Sequence, residues 1–340
     1  MKLLRRQFLR LASAAALPFL SRIAMAQESY PSRPIRLIVG FTPGSASDVV
    51  ARFFAKGAAP KLGQQVVVEN KPGAGSSIAA KYAARSTDDG YTLFLLALST
   101  LTNEIANPAL GLDIPKDFAP IERLASGPYV LVVNHDVAVS NVADLIALAK
   151  SKPGQVLFGS VGAGSLPHLC AEMFAQRAGV KLTHVPYPGS PQVITDLMAG
   201  RITMAFENAI AVVGQVSAGK IKALATTANR RPSVMPGVPT IAEAGMSDFD
   251  VSLWFGLMAP AGTPRPVIDK LSAAAHEAMH LPDTVEALRK EGFEPFDLGP
   301  DQFAPFIRSE ITRWSEVARG AGLKDSHGDF RVKGQKIISA

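Results

Sequence analysis

The sequence predicts an α/β fold built as two lobes, each a mainly parallel sheet flanked by helices, with a cleft between them. Three observations carry this. Apolar runs alternate with helix-length segments along most of the chain. A strand–turn–helix unit occurs twice. The run LFLLAL (93–98) is apolar at every position, as a strand buried on both faces must be.

The elements follow in order. Residues 35–41 read as a strand, 46–62 as a helix, 65–69 (QVVVE) as a strand, 75–85 as a helix and 91–98 as a strand. In a second set, the strands 129–134 (YVLVVN) and 155–160 (QVLFGS) flank a helix at 141–151. Helix 166–178, strand 182–186, helix 190–199, strand 202–206, helix 210–219 and strand 221–226 complete it. Pro-rich turns (RRPSVMPGVPT, 230–240) lead into the apolar strand LWFGLMAP (253–260). PRPVIDKLSAAAHEAMH opens a helix with Pro264 and Pro266 near its first turn, and Pro282 is expected to end it. The segment 303–322 is an amphipathic helix whose apolar set is Phe303, Phe306, Ile307, Ile311, Trp314 and Val317, with Trp314 read as a core anchor. Residues 323–340 are polar and read as a frayed tail.

The repeated unit is LIVGFTPGSASDVVARFFA (37–55), echoed by LFGSVGAGSLPHLCAEMFA (157–175). Each is a strand, a Gly-rich turn with serines, then a helix. Two lobes that aim helix N-termini at a shared cleft would produce this. So would two unrelated turns in one large sheet. Ligands of open α/β sheets bind beyond the C-terminal strand ends, where both turns lie.

Residues 1–26 stand apart. Lys2, Arg5, Arg6 and Arg10 precede the apolar run LASAAALPFL, and Ala24-Met25-Ala26 ends it. This is an export signal with a small-residue cleavage site. Arg5-Arg6-Gln7-Phe8-Leu9 reads as its twin-arginine form, an ordinary secretion signal being the alternative. The chain has 35 Lys+Arg and 29 Asp+Glu; the leader holds five of the bases and no acid, so 30 bases face 29 acids without it. That balance argues against a nucleic-acid partner. The remaining chain has no run of 18 apolar residues. One cysteine, Cys170, excludes an internal disulfide.

The first turn lacks the lysine of a P-loop and the G-x-G-x-x-G of a dinucleotide fold, so no nucleotide cofactor is expected. What remains is backbone N–H groups at a helix start, a glycine (Gly44) that permits close approach, the hydroxyls of Ser45 and Ser47, and Asp48 to cap the helix or accept from a ligand. The second turn has the same parts in Ser160, Gly162, Ala163, Gly164 and Ser165, with His168 one turn on. Neither turn carries Lys or Arg to neutralise a dianion, which favours a carboxylate over a phosphate. His276-Glu277-Ala278-Met279-His280 matches the zinc motif H-E-x-x-H. No G-x-x-H extension follows, and Glu286 and Glu291 lie too close in sequence to be a convincing third ligand. No metal is therefore expected. No G-x-S-x-G elbow supports a serine hydrolase, so no catalytic residue is assigned.

YPSRPIRLIVGFTPGSASDVVAR resembles the opening of the Bug family, the substrate-binding proteins of tripartite tricarboxylate transporters. There the pattern is approximately YPSKPIRLIVPFPPGGGTDxxAR. The likeness runs on through LGQQVVVENKPGAGSSIAA, DDGYTL, NPAL, KDFAPI, GSVGAGSLPHL, HVPYPG, DLMAGRITMAFEN, PGVPTIAEAG and WFGLMAPAGTP, over about residues 30–322. It implies a two-lobed periplasmic binding protein of type II, acting as a monomer without cofactor. Its ligand would be a small organic acid, and its partner the transporter's membrane subunits or a sensor kinase. It implies that lobe one is 27–130 plus 253–322 and lobe two 131–252. It places ligand contacts at Thr42, Pro43, Gly44, Ser45, Ala46, Ser47, Asp48, Ser99, Thr100, Ser160, Gly162, Ala163, Gly164, Ser165, His168, Tyr187, Glu207 and Asn208. Ser45 stands where the family has Gly, Glu207 where it has Asp, and Ser165-Leu166-Pro167 in a segment usually more polar, so the ligand can differ from a tricarboxylate. The remaining alternative is a secreted hydrolase or zinc peptidase using His276, Glu277 and His280.

Overall fold

The structure is a computed structural model and describes residues 30–247 and 249–322. The leader and the 323–340 tail lie outside these residues. The first part of the chain gives β1 (Ile35–Val39), α1 (Ala46–Leu62), β2 (Val66–Asn70), α2 (Ser77–Ala84), β3 (Thr92–Ala97) and α3 (Leu98–Ala106). β1 lies between β2 and β3 and is parallel to both. Every residue of β3 is buried, as its unbroken apolar run requires.

A short helix, α4 (Ile114–Asp117), leads into the 17-residue strand β4 (Phe118–Asn134). Then come α5 (Val142–Ser151), β5 (Leu157–Ser160), α6 (Leu166–Ala178), β6 (Thr183–Pro186), α7 (Ser190–Met198), β7 (Met204–Asn208), α8 (Ala209–Ser217) and β8 (Ile221–Thr226). Here β5 lies between β6 and β7, again parallel to both. The chain returns through β9 (Ser252–Pro260), α9 (Arg265–His280), α10 (Pro282–Lys290), β10 (Glu294–Leu298) and α11 (Pro300–Gly320).

β4 joins the halves. Its first stretch pairs with β9, from Phe118↔Pro260 to Pro128↔Ser252. From Tyr129 onward it pairs instead with β7 and β8. The expected strand 129–134 was only its second stretch. FAPIERLASGP hides the first: two prolines, a glycine and two charges mask the pattern, and the β9 register shifts between Pro120 and Glu122 and between Arg123 and Ala125. The expectation of mainly parallel sheets needs the same correction. The outer triplets are parallel, but β9, β4, β7, β8 and β10 meet antiparallel, so each half is mixed.

Side-chain alternation on β4 serves two cores. Leu131 and Val133 join the large core shared by both halves, with Phe94, Phe158, Phe206, Trp254 and Trp314. Val130 and Val132 join a smaller one with Val193, Leu197 and Val212. Trp314 is fully buried, as expected of an anchor. Its indole N–H and that of Trp254 both donate to Glu310, at 3.3 and 2.9 Å, which satisfies a buried carboxylate. Pro282 ends α9 and begins α10. Cys170 is free and buried.

Candidate functional site

Helices start where the parallel strands end. In the first half α1, α2 and α3 follow β1, β2 and β3; in the second, α6, α7 and α8 follow β5, β6 and β7. A helix N-terminus carries partial positive charge and amides that the helix cannot satisfy.

The repeat in sequence is a repeat in geometry. Gly44 and Gly164 have φ of 80° and 78°, a left-handed conformation that suits glycine. Ser45 and Ser165 follow as extended N-caps, with φ/ψ of −70°/162° and −65°/155°. The Ser45 amide donates to the Thr42 carbonyl (3.1 Å), and the Ser165 amide to that of Gly162 (3.2 Å). Three residues beyond each cap, a side chain reaches back. Asp48 accepts the Gly44 amide at 2.9 Å, and His168 Nδ1 accepts the Gly164 amide at 3.0 Å. Asp48 and His168 thus do the same work with different chemistry.

Asp48 is buried and fully occupied. Besides Gly44 it accepts from Arg52 at 2.9 and 3.0 Å and from Asn70 at 3.0 Å. Burial works to raise its carboxyl, but the hydrogen bonds from Arg52, Gly44 and Asn70 hold it below the usual range. Of the two roles open to Asp48, it performs the cap. Ser45 Oγ accepts the Asp48 amide at 3.3 Å. Thr42, Pro43 and Gly44 are exposed, Ser45 and Ala46 half-buried, and Ser47 buried.

The second turn is knitted by hydroxyls. Ser160 Oγ lies 2.6 Å from His184 Nε2 and 3.1 Å from the Gly162 carbonyl, and Ser165 Oγ donates to that carbonyl at 2.7 Å. His168 stacks on His184, with ring centroids 4.0 Å apart, and His184 in turn on Phe158 at 4.9 Å. Burial, and then His184, pull the His168 imidazole down to about 4, so it stays neutral and keeps Nδ1 as an acceptor. Ala163 is exposed and Gly164 buried. A Cβ on Gly164 would lie 2.4 Å from that of Ala106, so α3 packs closely against this turn. α3 begins at the end of β3 with Ser99 and Thr100, and Thr100 Oγ1 is buried without a hydrogen-bond partner.

The remaining predicted residues sit nearby on β7 and after β6. Glu207 is 1 % exposed; Ser190 donates to Oε2, while Oε1 has no partner. Burial raises its carboxyl to about 7, against the Ser190 hydrogen bond. Asn208 caps α8, accepting the Ile210 amide at 3.2 Å. The Tyr187 hydroxyl is engaged by Asp196 at 2.9 Å.

Two residues escaped the sequence reading. His184 lies on β6, and its partnership with Ser160 spans 24 positions. Ser76, at φ 82°, occupies the N-cap position of α2 with a buried, unpartnered hydroxyl; a Cβ on Gly40 would meet it at 1.8 Å, which places it against the end of β1. Thr100 Oγ1, Ser76 Oγ and Glu207 Oε1 are thus buried polar atoms at helix starts or strand ends without a protein partner.

The H-E-x-x-H segment lies elsewhere, on α9. The His276 and His280 rings stack with centroids 4.6 Å apart. Neither Glu286 nor Glu291 completes them: Asp297 of β10 does, 3.3 Å from His276 and 3.2 Å from His280. This corrects the expected lack of a third carboxylate. Glu277 pairs with Lys61 at 2.7 Å, and Glu286 with Lys290 at 2.7 Å.

A mixed α/β chain of two lobes, with helix N-termini presented at the ends of parallel strands, is the architecture of the periplasmic binding protein BugD, with which this chain superposes at a TM-score of 0.72 and 30% identity. The model of the tripartite tricarboxylate transporter family receptors matches residues 50–323, and this chain belongs to that family. Among curated relatives, protein BugT of Bordetella pertussis is 38% identical over 299 residues, spanning 87% of this chain and 92% of BugT. Among solved structures, R. palustris Rpa4515 with adipate superposes at a TM-score of 0.75 and 34% identity, covering 86% of this chain and 99% of that one. MatC of Rhodopseudomonas palustris, with bound malate, gives 0.71 and 30%, covering 85% and 99%. The family consists of substrate-binding receptors. Among the described residues, no helix is long and apolar enough to cross a membrane.

Proposed function

We propose that this chain is a periplasmic receptor that holds a small organic carboxylate between its lobes and hands it to the membrane subunits of a tripartite transporter, without transforming it. One observation carries the reading: in both turns a cap serine's amide bonds back three residues and a glycine amide is held by a side chain three residues past the cap, and both turns end at helix starts with no lysine or arginine in the turn. Such a pair suits an acid with two ends, and the adipate and malate seen in two relatives are dicarboxylates. Ligand contacts are proposed at Thr42–Asp48, Ser99, Thr100, Ser160–Ser165, His168, Tyr187, Glu207 and Asn208. Within that set Asp48 and His168 act through the backbone they hold. The lobes are proposed as 27–130 with 253–322, and 131–252; the switch of β4 partners at Pro128 and Tyr129 supports that division. Export through the 1–26 leader would place the receptor in the periplasm.

A serine mechanism is disfavoured. Ser160 and His184 stand at the distance nucleophilic catalysis asks for. However, Ser160 is wholly buried, and no carboxylate orients His184 among the described residues. The test is calorimetry of the mature chain against mono-, di- and tricarboxylates, with the ligand recovered and weighed by mass spectrometry. Saturable binding of an unchanged acid supports the reading. Turnover of the acid, or no response to any of them, overturns it.

A further inference from the structure

Where β4 and β9 pass between the halves, they wall a cavity of about 310 Å³. It shares no residue with the two turns. Pro128 and Ser252 mark the crossing; Arg230 and Arg231 come from the segment after β8, and Phe296 and Phe306 from β10 and α11. Five arginines and three carboxylates line it, an excess of positive charge in a concave space.

Most of those arginines are satisfied. Arg231 pairs with Glu243 at 3.0 Å, Arg289 with Glu294 at 3.0 Å, and Arg313 with Glu310 at 3.3 Å. Arg123 is different. It is 6 % exposed, and its Nε–H has no hydrogen-bond partner. No carboxylate reaches it within ion-pair distance among the described residues. Its guanidinium lies instead between two rings, 3.8 Å from the Phe296 centroid and 4.5 Å from that of Phe306. Aromatic faces attract a cation but offer no hydrogen-bond acceptor in the guanidinium plane. Burial pulls the group down to about 10, opposed by Glu310 and Asp250, so it stays charged at neutral pH. A buried cation with no anion in direct contact is costly even with Glu310 and Asp250 close by, and a bound anion offsets that cost.

We propose that this cavity is a second anion site, in which a small oxyanion, phosphate-like or carboxylate, accepts from the guanidinium of Arg123 with Arg230 at its mouth. Arg230 is exposed and has no partner among the described residues. Because both halves wall the cavity, an occupant bridges them at the point where the chain crosses.

The test uses the mature chain in chloride buffer, titrated with sodium phosphate, sodium sulfate or sodium citrate at constant ionic strength. Melting temperature and calorimetry are read together. At least one oxyanion gives a saturable response above chloride, and the phosphate and citrate arms separate an inorganic from an organic source. The response survives Gly44→Val, which impairs the proposed cleft, so it does not report binding there. It weakens at least tenfold in Arg123→Met, which keeps the stem between the rings and removes the charge. In chloride alone Arg123→Met melts at or above the wild type, since an unpaired buried charge is gone. Should that variant not fold, Arg230→Gln on the surface replaces it, with a several-fold weakening expected. No oxyanion response above chloride, or one that the arginine variant retains in full, overturns the proposal and leaves Arg123 as an aromatic-packed structural residue.

Discussion

Glu207 offers the most direct handle on this protein through pH. Its Oε1 is buried and unpartnered, and its Oε2 has only Ser190. The folded carboxyl titrates at about 7 against an ordinary 4.5. At about 1.4 kcal/mol for each pH unit, that gap is on the order of 3 kcal/mol. The folded state binds this proton more tightly than the unfolded state does. Its contribution to stability is thus complete below pH about 4.5, declines above it, and is lost once pH has passed through about 7. Glu207→Gln removes the titration and keeps the shape and an acceptor for Ser190. The amide places a donor where Oε1 was, which costs about 1 kcal/mol if it stays unpaired. Urea denaturation of both proteins at pH 5 and pH 9 isolates the effect, because costs independent of pH cancel in the double difference. Wild type should lose about 2–3 kcal/mol more than the variant between the two pH values, and at pH 9 the variant should be the more stable. Parallel stability curves would refute the reasoning, since Glu207 would then be hydrated or paired.

Gly44→Val should weaken binding of the organic acid at least tenfold, about 1.4 kcal/mol. A Cβ at Gly44 meets nothing within 4 Å, so the stability cost comes from the φ of 80° alone, about 1–3 kcal/mol. Calorimetry beside melting separates the two effects, and unchanged affinity in a folded variant would make the turn only a cap. Ser47→Ala should cost less affinity, on the order of 1 kcal/mol, because one neutral donor is lost. EDTA should leave ligand affinity unchanged, since His276, His280 and Asp297 lie on α9 and β10, away from both turns; a chelator-sensitive affinity would contradict this. Saturating ligand should reduce the radius of gyration in small-angle scattering, as closure of two lobes requires. An unchanged radius at confirmed saturation would remove the hinge.

The helices were legible because their signals are local. Ser45 and Gly63 bracket α1 at Ala46–Leu62, and Ser165 with Gly179 brackets α6 at Leu166–Ala178. A cap acts within four residues, so the chain states it wherever it stands. Buried parallel strands were legible for a similar reason, in that full burial demands the unbroken apolar run of β3. The repeated turn was visible as well, down to its glycines and serines. That Asp48 and His168 do equivalent work was not, because an acid and an imidazole share no pattern and become alike only when each meets a glycine amide.

Long-range pairing supplied the rest. The first stretch of β4, with its prolines and charges, is a strand because β9 returns about 130 positions later to pair with it. β10 exists because β4 gives it an edge. Ser160 acquires His184, His276 and His280 acquire Asp297, and Arg123 acquires two rings but no anion, each across a separation the sequence does not mark. Local preferences are properties of a few neighbouring residues and can be read in one dimension. Burial, partnership and the lack of a partner depend on which distant segments the fold brings together, and they exist only in three.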